Sequence, residues 1–308
     1  PLALEAEGLP AQVLDKLGLP NEPPKLDAWR AMVDSVKNPR HHLEVALVGK
    51  YTQLSDAYLS VIESVYHAAA AVQAKAKIRW VNSEECVDQA TTARLLQGVD
   101  AVVVPGGFGS RGIEGKIEVI RWARETGLPF LGLCVGLQCA VIEFARNVVG
   151  LEAANSVEFD PDTPHPVIHL MDEQRRVSDK GGTMRLGLYP CHLAKNSKAS
   201  GAYANEVVME RHRHRYEFNN AYRDRLAAAG LAVSGSSPDR ELVEIVEIAE
   251  HPWFVATQFH PEFKSRPDAP HPLFKGMLAA ALERREAQAP VGSQNGACSM
   301  DGNAVSVG

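Results

Sequence analysis

The sequence is short of three things: long apolar runs, an excess of positive charge, and aromatic side chains. No apolar run approaches the ~18 residues that a membrane-spanning helix needs, and no charged-then-apolar signal pattern opens the chain. The formal net charge is −6 over 308 residues, whereas nucleic-acid-binding domains usually carry a basic face. These shortages argue against a membrane protein and against a nucleic-acid binder.

Cysteine is also scarce, and its spacing provides no disulfide framework. The chain has five cysteines, an odd number, and no C-x-x-C pair: Cys86, Cys134, Cys139, Cys191 and Cys298. Reduced thiols in the cytoplasm fit this usage best. The chain begins with Pro1 and not with methionine, so we expect a processed product or an excised piece.

The rest of the composition, 45% hydrophobic and 23% charged, is typical of a globular protein with a sizeable core. Residues 1–42 are predicted to be an interdomain linker with short helices at Leu9–Leu19 and Leu26–Lys37. Alternating strands and helices follow and predict an α/β fold with an open, mostly parallel sheet flanked by helices. The predicted strands are Val45–Val48, Ile78–Val81, Ala101–Val104 and Leu128–Leu133, and the helices are Asp56–Ala74, Thr91–Leu96, Ile113–Thr126 and Leu137–Arg146.

After residue 155 the pattern changes to short strands and turns, which predicts an additional antiparallel β region. Strands are expected at Val167–Met171, Met184–Leu188, Val207–Met209, Leu242–Ile248 and Phe254–Phe259, and helices at Asn220–Ala229 and His271–Glu286. Residues 289–308, rich in Gly, Ser, Asn and Ala, are expected to form a disordered tail. The folded domain is therefore predicted to span residues 43–288.

The most informative stretch runs from Leu128 to Gln138, where an apolar strand passes through Gly132-x-Cys134-x-Gly136 into a helical pattern. This is the arrangement of a nucleophile elbow with cysteine in place of serine. The flanking glycines permit a strained backbone and close approach of neighbouring elements. The turn also places Cys134 at a helix N-terminus, where unpaired N–H groups favour a thiolate. The competing interpretation is a buried structural cysteine, the commoner fate of a free thiol.

A thiol nucleophile needs a base, and the base needs an orienting group. His260 and Glu262 follow an apolar strand and are two residues apart, so in an extended chain they project to the same side. Glu262 can then hold one imidazole nitrogen while the other faces Cys134. With eleven histidines, one His near a carboxylate is unsurprising. The chain order, with the elbow first and the His-x-Glu at the last strand end, favours the catalytic interpretation.

Acyl transfer also requires donors for the oxyanion that develops on the substrate. The turn after Val104 offers the backbone N–H of Gly107, and the elbow offers that of Val135. The same turn contains a formal G-x-G-x-x-G, Gly107 to Gly112, so a dinucleotide site is an alternative. We interpret it as a chance match, because Pro105 interrupts the turn and no acidic residue ends the next strand.

The segment from Glu210 to Asn220 is dense in charge. On a strand, Arg211, Arg213 and Arg215 share one face, and His212 and His214 share the other. A solvated strand, a nucleic-acid patch, a metal site and an anion pocket, such as one for a carboxylate, all remain open. The negative net charge weighs against nucleic acid, and two histidines without clustered acids are a weak metal signal.

Together these motifs resemble the class I (triad) glutamine amidotransferases and, within them, the CTP synthase family. The resemblance covers roughly residues 5 to 285 and corresponds to the C-terminal glutaminase half, a fold of the flavodoxin-like kind. It is carried by Val48-Gly-Lys-Tyr51, Pro105-Gly-Gly-Phe-Gly-Ser-Arg-Gly-Ile-Glu-Gly-Lys116, the elbow at Cys134, Asn155-Ser-Val-Glu-Phe159, Gly181-Gly-Thr-Met-Arg-Leu-Gly187, the charged segment from Glu210, and Phe259-His-Pro-Glu-Phe263.

The resemblance implies roles for individual residues. Cys134 corresponds to the nucleophile, His260 to the base and Glu262 to its orienting group, while Gly107 and Val135 match the oxyanion positions. Glu158 would suit the ammonium group of the substrate. The residues that match the family's glutamine contacts are Gly107, Val135, Gly136, Leu137, Gln138, Glu158 and Arg215.

The family's other half is not represented in this sequence. That amidoligase half uses ATP, Mg²⁺ and UTP and carries a phosphate-binding loop, whereas no G-x-x-x-x-G-K-[ST] occurs here. The resemblance therefore implies L-glutamine as substrate and ammonia as product, with no cofactor or metal in this chain. It further implies the amidoligase half as partner, GTP as activator and a homotetramer for the full-length enzyme. The alternative is a regulatory or assembly module whose triad is inactive until it docks on the synthase half.

Overall fold

The computed structural model describes residues 1–54, 56–170 and 184–288. Its main feature is a nine-stranded sheet with the strand order β2-β1-β3-β4-β12-β11-β10-β7-β8, accompanied by a small sheet of order β5-β6-β9. The strands are β1 His41–Gly49, β2 Ala74–Asn82, β3 Ala101–Val104, β4 Phe130–Leu133, β5 Ala154–Ser156, β6 His165–His169, β7 Arg185–Leu193, β8 Val207–His214, β9 Glu217–Phe218, β10 Ala232–Ser236, β11 Val243–Glu247 and β12 Phe254–Thr257.

Helices cover both faces of the sheet and enclose two apolar cores. One core lies under the helices Ile113–Thr126 and Val135–Asn147, and the other lies under Leu59–Ala71 and Pro272–Gln288. None of the helices in the described ranges is long and apolar enough to span a membrane. The helices are α1 Leu2–Ala6, α2 Leu9–Leu17, α3 Asp27–Lys37, α4 Leu59–Ala71, α5 Gln89–Leu95, α6 Ile113–Thr126, α7 Val135–Asn147, α8 Lys198–Tyr203, α9 Arg223–Ala228 and α10 Pro272–Gln288, with 3₁₀ turns at Ser83–Glu85, Asn220–Tyr222 and Pro261–Phe263.

The sheet is parallel on one side and antiparallel on the other. Strands β2, β1, β3, β4 and β12 pair in parallel, and β11, β10, β7 and β8 extend the sheet as antiparallel neighbours. Strands β3, β4 and β12 are buried along their whole length, because helices cover both of their faces, whereas the edge strand β2 is only partly buried. This confirms the predicted fold class, a mostly parallel sheet with an additional antiparallel region.

The topology brings three distant segments of the chain to one edge of the sheet. Strands β3, β4 and β12 are adjacent and parallel, so their carboxyl ends lie side by side. The chain continues from these ends into Pro105, Cys134 and Gln258, respectively. In open α/β sheets this edge is where ligands bind.

Several predicted boundaries were wrong. The helix expected up to Ala74 ends at Ala71, and Gln73 takes a left-handed φ of 54° that turns the chain into β2. The strand expected to end at Phe259 ends at Thr257. The helix expected from Asn220 is a 3₁₀ turn followed by the short helix α9. The predicted strand end at Met171, the Gly181–Thr183 motif and the tail 289–308 lie outside the described residues.

The antiparallel region is larger than predicted. Strand β8, expected to end at Met209, continues to His214 with strictly alternating burial. Its buried positions beyond Met209 are Glu210, His212 and His214, so hydrophobicity gives no sign that the strand continues there. Strands β5, β9 and β10 and helix α8 were not predicted.

Candidate active site

Cys134 lies on a sharp turn between β4 and α7, with φ 52° and ψ −101°, a conformation that L-residues rarely adopt. Two glycines make this turn possible. A Cβ on Gly132 would lie 2.9 Å from the backbone of Gly136, and a Cβ on Gly136 would lie 2.3 Å from the carbonyl oxygen of Val104. The elbow geometry predicted from the glycine spacing is therefore present, with Cys134 as N-cap of α7.

His260 and Glu262 are joined directly. Nδ1 of the imidazole lies 2.7 Å from Oε1 of the carboxylate, and both residues are buried. The extended chain assumed from the sequence was wrong, because Pro261 begins a 3₁₀ turn in which Glu262 folds back onto the ring. The ring also stacks on Phe263, with centroids 5.0 Å apart and planes 17° from parallel. The backbone N–H of His260 donates to the Arg211 carbonyl, which ties the turn to β8.

Cys134 and His260 both lie close to Gly106. A Cβ on this glycine would lie 3.1 Å from Cε1 of the imidazole and 3.4 Å from Cβ of the cysteine. Burial disfavours the imidazolium, but interactions with the Cys134 sulfur and the Glu262 carboxylate outweigh burial and raise the pKa of His260 to about 10. The electrostatics of the site therefore favour a protonated imidazole beside the Cys134 sulfur.

A pocket of about 280 Å³ opens on one side of the Cys134 thiol. Its polar lining combines opposite charges, with a carboxylate from Glu158 and a guanidinium from Arg215. Glu158 also accepts a hydrogen bond from the backbone N–H of Gly109 at 2.9 Å, so the carboxylate is fixed to the turn after β3. A zwitterion such as an amino acid matches this pair of charges.

Five of the seven residues expected to contact glutamine line this pocket: Gly107, Val135, Gln138, Glu158 and Arg215. The other two lie behind it. Leu137 is fully buried in the apolar core, and Gly136 packs against the end of β3. In the described part of the chain, no acceptor engages the backbone N–H of Gly107 or of Val135, and both residues border the pocket beside Cys134.

The sequence pattern described as glutamine amidotransferase class-I matches residues 53–280, most of the chain. The chain belongs to the class-I glutamine amidotransferase family. A solved structure, the glutaminase domain of Trypanosoma brucei CTPS with bound acivicin, is 40% identical with a TM-score of 0.74. The match covers 78% of this chain and 94% of that one. This similarity also confirms the fold class.

The resemblance to the CTP synthase family is confirmed by curated relatives. The CTP synthase of Pelotomaculum thermopropionicum is 60% identical over 288 residues, which are 94% of this chain and 53% of that protein. The CTP synthase of Thermosynechococcus vestitus is 58% identical over 290 residues, with the same coverage. The amidotransferase chain thus spans about half the length of these relatives.

Three residues beside the thiol of this amidotransferase were not singled out from the sequence. Nε2 of Gln258 lies 3.9 Å from Sγ of Cys134, while Tyr216 and Met184 line the charged pocket. Gln258 precedes His260 by two residues at the end of β12, so its position in the motif was a usable signal. Met184 precedes β7 and Tyr216 follows β8, and both lie in segments that carry the family resemblance, so their place in these motifs was also a usable signal.

The predicted two faces of the charged segment are present in β8. Arg211 and Arg213 are exposed, whereas His212 and His214 are buried and lie 2.9 Å apart, Nδ1 to Nε2. Buried carboxylates adjoin both rings, Glu244 at 3.6 Å from His212 and Glu217 at 3.4 Å from His214. Within the described ranges no group of three or more His, Cys, Asp or Glu could hold a metal ion. The segment therefore supplies Arg215 to the pocket and a buried polar cluster behind it.

Proposed function

We propose that this chain hydrolyses L-glutamine to glutamate and ammonia, with Cys134 as nucleophile, His260 as general acid and base, and Glu262 as the group that orients His260. One observation carries the proposal: the Cys134 thiol and the Glu262-bound imidazole both adjoin Gly106, and the thiol borders a pocket whose Glu158 and Arg215 match the charges of an amino acid. Both the family membership and the similarity to a glutaminase domain support it.

The reaction follows from the arrangement of these groups. The Cys134 thiolate attacks the side-chain amide carbon of glutamine, and the N–H groups of Gly107 and Val135 bind the oxyanion that forms. The His260 imidazolium gives its proton to the amide nitrogen, and ammonia leaves as the thioester forms. The neutral imidazole then takes a proton from water, which attacks the thioester. Taking this proton regenerates the imidazolium. Collapse of the second intermediate then releases glutamate and restores the Cys134 thiolate, which completes the cycle.

In the pocket, Glu158 binds the substrate ammonium group and Arg215 binds its carboxylate. Gln138 is buried and donates from Nε2 to the Tyr216 carbonyl at 3.3 Å, so its role is to form the pocket wall below the substrate. The peptide groups around Gly136 and Leu137 support the elbow from behind. The glutamine contacts are therefore expected to come from the other four residues, Gly107, Val135, Glu158 and Arg215.

In the complete enzyme, the proposal places this chain as the glutaminase half of a CTP synthase. Ammonia passes to an amidoligase half that aminates UTP with ATP and Mg²⁺, GTP activates glutamine hydrolysis, and the full-length protein is a homotetramer. Residues 43–288 form the glutaminase domain and residues 1–42 the connection to the other half. The relatives' names and their doubled length support this placement.

The direct test is ammonia release from glutamine by this chain and by its Cys134→Ala variant. Cys139→Ala is the matched control, because Cys139 is a fully buried thiol one turn along the same helix. We expect wild-type turnover from the Cys139→Ala protein and none from Cys134→Ala. Equal turnover by the wild-type and Cys134→Ala proteins would exclude the proposed chemistry.

A second candidate, an assembly module whose triad becomes active only after docking, is favoured by one observation. The thiol of Cys134 lies 3.9 Å from the Arg213 carbonyl oxygen, while Nε2 of His260 has no hydrogen bond of good geometry within the described residues. Labelling with an electrophilic glutamine analogue at neutral pH separates the two candidates. Prompt, selective labelling of Cys134 supports a preformed site, and labelling that requires the amidoligase half supports the module.

A further inference from the structure

Lys116 occupies an unfavourable position for a charged side chain. It lies in the first turn of α6 and is 2% exposed. Burial disfavours an ammonium group, and the positive end of the helix dipole repels it. Burial accordingly lowers the pKa of Lys116, although the neighbouring thiols of Cys139 and Cys134 act in the opposite direction. An apolar residue of similar size would fit the same space at lower cost.

The contact made by this side chain lies in the proposed oxyanion turn. Nζ of Lys116 donates to the carbonyl oxygen of Pro105 at 3.1 Å, and this is its single acceptor in the described part of the chain. This carbonyl belongs to the Pro105–Gly106 peptide, which Gly107 follows directly. A Cβ on Gly107 would lie 3.8 Å from Nζ, so the ammonium group lies directly behind the turn.

Other side chains hold the same turn from the solvent side. Nζ of Lys50 donates to the Phe108 carbonyl, and Glu158 accepts from the N–H of Gly109. These contacts hold the turn on the C-terminal side of Gly107, whereas Lys116 holds it on the N-terminal side and from within the protein. The two consecutive glycines between the contacts have wide conformational freedom, so external contacts must determine the direction of the Gly107 N–H.

We propose that Lys116 is a positioning residue of the glutaminase site, which binds the Pro105 carbonyl from the protein interior and so directs the Gly107 N–H toward the oxyanion. The inference rests on the proposed function, because the direction of this N–H matters only if Cys134 attacks a carbonyl group. Lys116 does not touch the substrate in this proposal, and it acts through the Pro105–Gly106 peptide.

Two variants separate the hydrogen bond from simple packing. Lys116→Met removes the donor and keeps the length of the side chain, whereas Lys116→Gln keeps a donor without the charge. Arg121→Gln is the control, because it removes one positive charge from the exposed side of the same helix. We expect Lys116→Met to lower kcat at least about tenfold with KM within about twofold, since an ångström of misplacement costs on the order of a hundredfold. Lys116→Gln should recover part of the loss, and Arg121→Gln should match wild type.

Thermal unfolding distinguishes positioning from a structural role. A positioning residue that is costly to bury predicts a Tm for Lys116→Met equal to or above that of wild type. A parallel loss of Tm and kcat in both variants, or failure of both to fold, would overturn the proposal. Alkylation of Cys134 by iodoacetamide needs no oxyanion donor, so its rate should stay within about twofold of wild type. If alkylation and turnover fell equally, the substitution would act on the Cys134 nucleophile and not on the oxyanion turn, and the proposal would be rejected.

A third measurement is independent of turnover. Pro105–Gly106 is the single Pro-Gly sequence in the chain, so carbonyl-¹³C proline combined with ¹⁵N glycine isolates the NMR signal of the peptide that Lys116 binds. We expect this signal to move in Lys116→Met, to move less in Lys116→Gln and to stay in Arg121→Gln. A signal unchanged in Lys116→Met would refute the inference. If the wild-type protein released no ammonia but the signal moved as expected, the proposed glutamine hydrolysis would be excluded. The contact between Lys116 and the Pro105 carbonyl would still be supported.

Discussion

Nδ1 of His260 and Oε1 of Glu262 lie 2.7 Å apart in a 3₁₀ turn that has little solvent around it. The carboxylate acts on the imidazole in two ways. It fixes the ring with Nε2 free for the thiol, and its charge favours the imidazolium against the cost of burial. The Glu262 carboxylate thus sets both the orientation of the His260 ring and its affinity for a proton. The proposed mechanism needs these two properties at different steps.

Removing the charge of Glu262 while keeping the shape of its side chain tests the His260–Glu262 pair. We expect Glu262→Gln to lower kcat for glutamine hydrolysis roughly 10- to 150-fold, because a hydrogen bond to a charged group is worth about 1.5–3 kcal/mol. NMR titration of the His260 ring should show a lower pKa than in wild type, where it is raised to about 10. Glu63→Gln is the control, since Glu63 forms a half-exposed pair with His67 at 3.8 Å. An unchanged His260 titration in Glu262→Gln would contradict the assigned role.

The cysteines are expected to differ sharply in reactivity. Burial raises the pKa of Cys86 to about 11 and that of Cys139 to about 12, and it raises that of Cys191 still further. Cys134 alone among the four described cysteines has an imidazolium beside it, and thiolates are the reactive form. We therefore expect iodoacetamide at pH 7 to modify one site, Cys134, as measured by peptide mass spectrometry.

The alkylation experiment needs a defined background. Cys298 lies outside the described residues, so the test protein carries Cys298→Ser. His260→Asn, which removes the imidazolium and keeps a polar side chain, should slow the modification, because a cation beside a cysteine sulfur favours its reactive form. Faster labelling of Cys86 or Cys139 than of Cys134 would be incompatible with the proposed nucleophile.

The parts of the site that could be predicted from sequence are those with a local signature. The elbow at Cys134 was predictable because Gly132 and Gly136 are needed for close packing, and such glycines are visible in a sequence. The centre of the parallel half was predictable because β3, β4 and β12 are short, almost entirely apolar runs. The order of Cys134 and His260 along the chain then placed both at the same edge.

The antiparallel half was not predictable in this way. Beyond Met209 the buried side chains of β8 are polar, and partners from other elements permit their burial: Tyr203 and His271 contact Glu210, and Glu244 adjoins His212. The position of Lys116 was equally hidden, since a lysine near a helix start is usually solvated. In both cases burial depends on a contact distant in sequence, which local patterns do not contain.

Substrate recognition is tested by changing one charge of the pocket. Glu158→Gln should raise KM for glutamine at least about tenfold, since it removes the partner of the substrate ammonium group. The same variant should lose little with glutaramate, which has the side-chain amide but no ammonium group. Steady-state kinetics with both amides measures the difference. Equal effects on glutamine and glutaramate would show that Glu158 acts through the turn at Gly109 and not on the ammonium group.

The buried histidines of β8 predict acid sensitivity of the fold. Burial, with a further contribution from the Arg185 charge, lowers the pKa of His212 to about 2 and that of His214 to about 3. Each histidine therefore contributes stability that is complete above about pH 6.5, its unfolded pKa, and is lost as the pH falls toward the folded value. Burial raises the pKa of Glu217 and Glu244, so the contribution of these two groups to stability is lost as the pH rises above about 4.5.

A comparison of variants isolates the histidine contribution, because both glutamates remain in each protein. The destabilisation caused by His214→Gln, measured by urea unfolding, should shrink by roughly 2 kcal/mol between pH 7 and pH 5. Val208→Ala is the control, since it removes buried apolar volume from the same strand without removing a proton-binding group. A His214→Gln effect that stays constant over this range would show that the ring is not held neutral by burial.

Glycine-to-alanine changes should separate folding from catalysis at the edge of the sheet. In Gly136→Ala the new methyl group would lie 2.3 Å from the Val104 carbonyl, so we expect a loss of about 3 kcal/mol in unfolding free energy. In Gly106→Ala the methyl group would lie 3.1 Å from the His260 ring, and relief of this contact would shift the ring by a few tenths of an ångström, so turnover should fall while stability changes little. Gly201→Ala, in α8 with nothing within 4 Å, should gain about 0.5–1 kcal/mol without affecting turnover. Unfolding and glutamine hydrolysis measured on all three variants check this order. If Gly106→Ala kept wild-type turnover, the imidazole would not need its present position beside Cys134, and the proposed triad would lose its geometric basis.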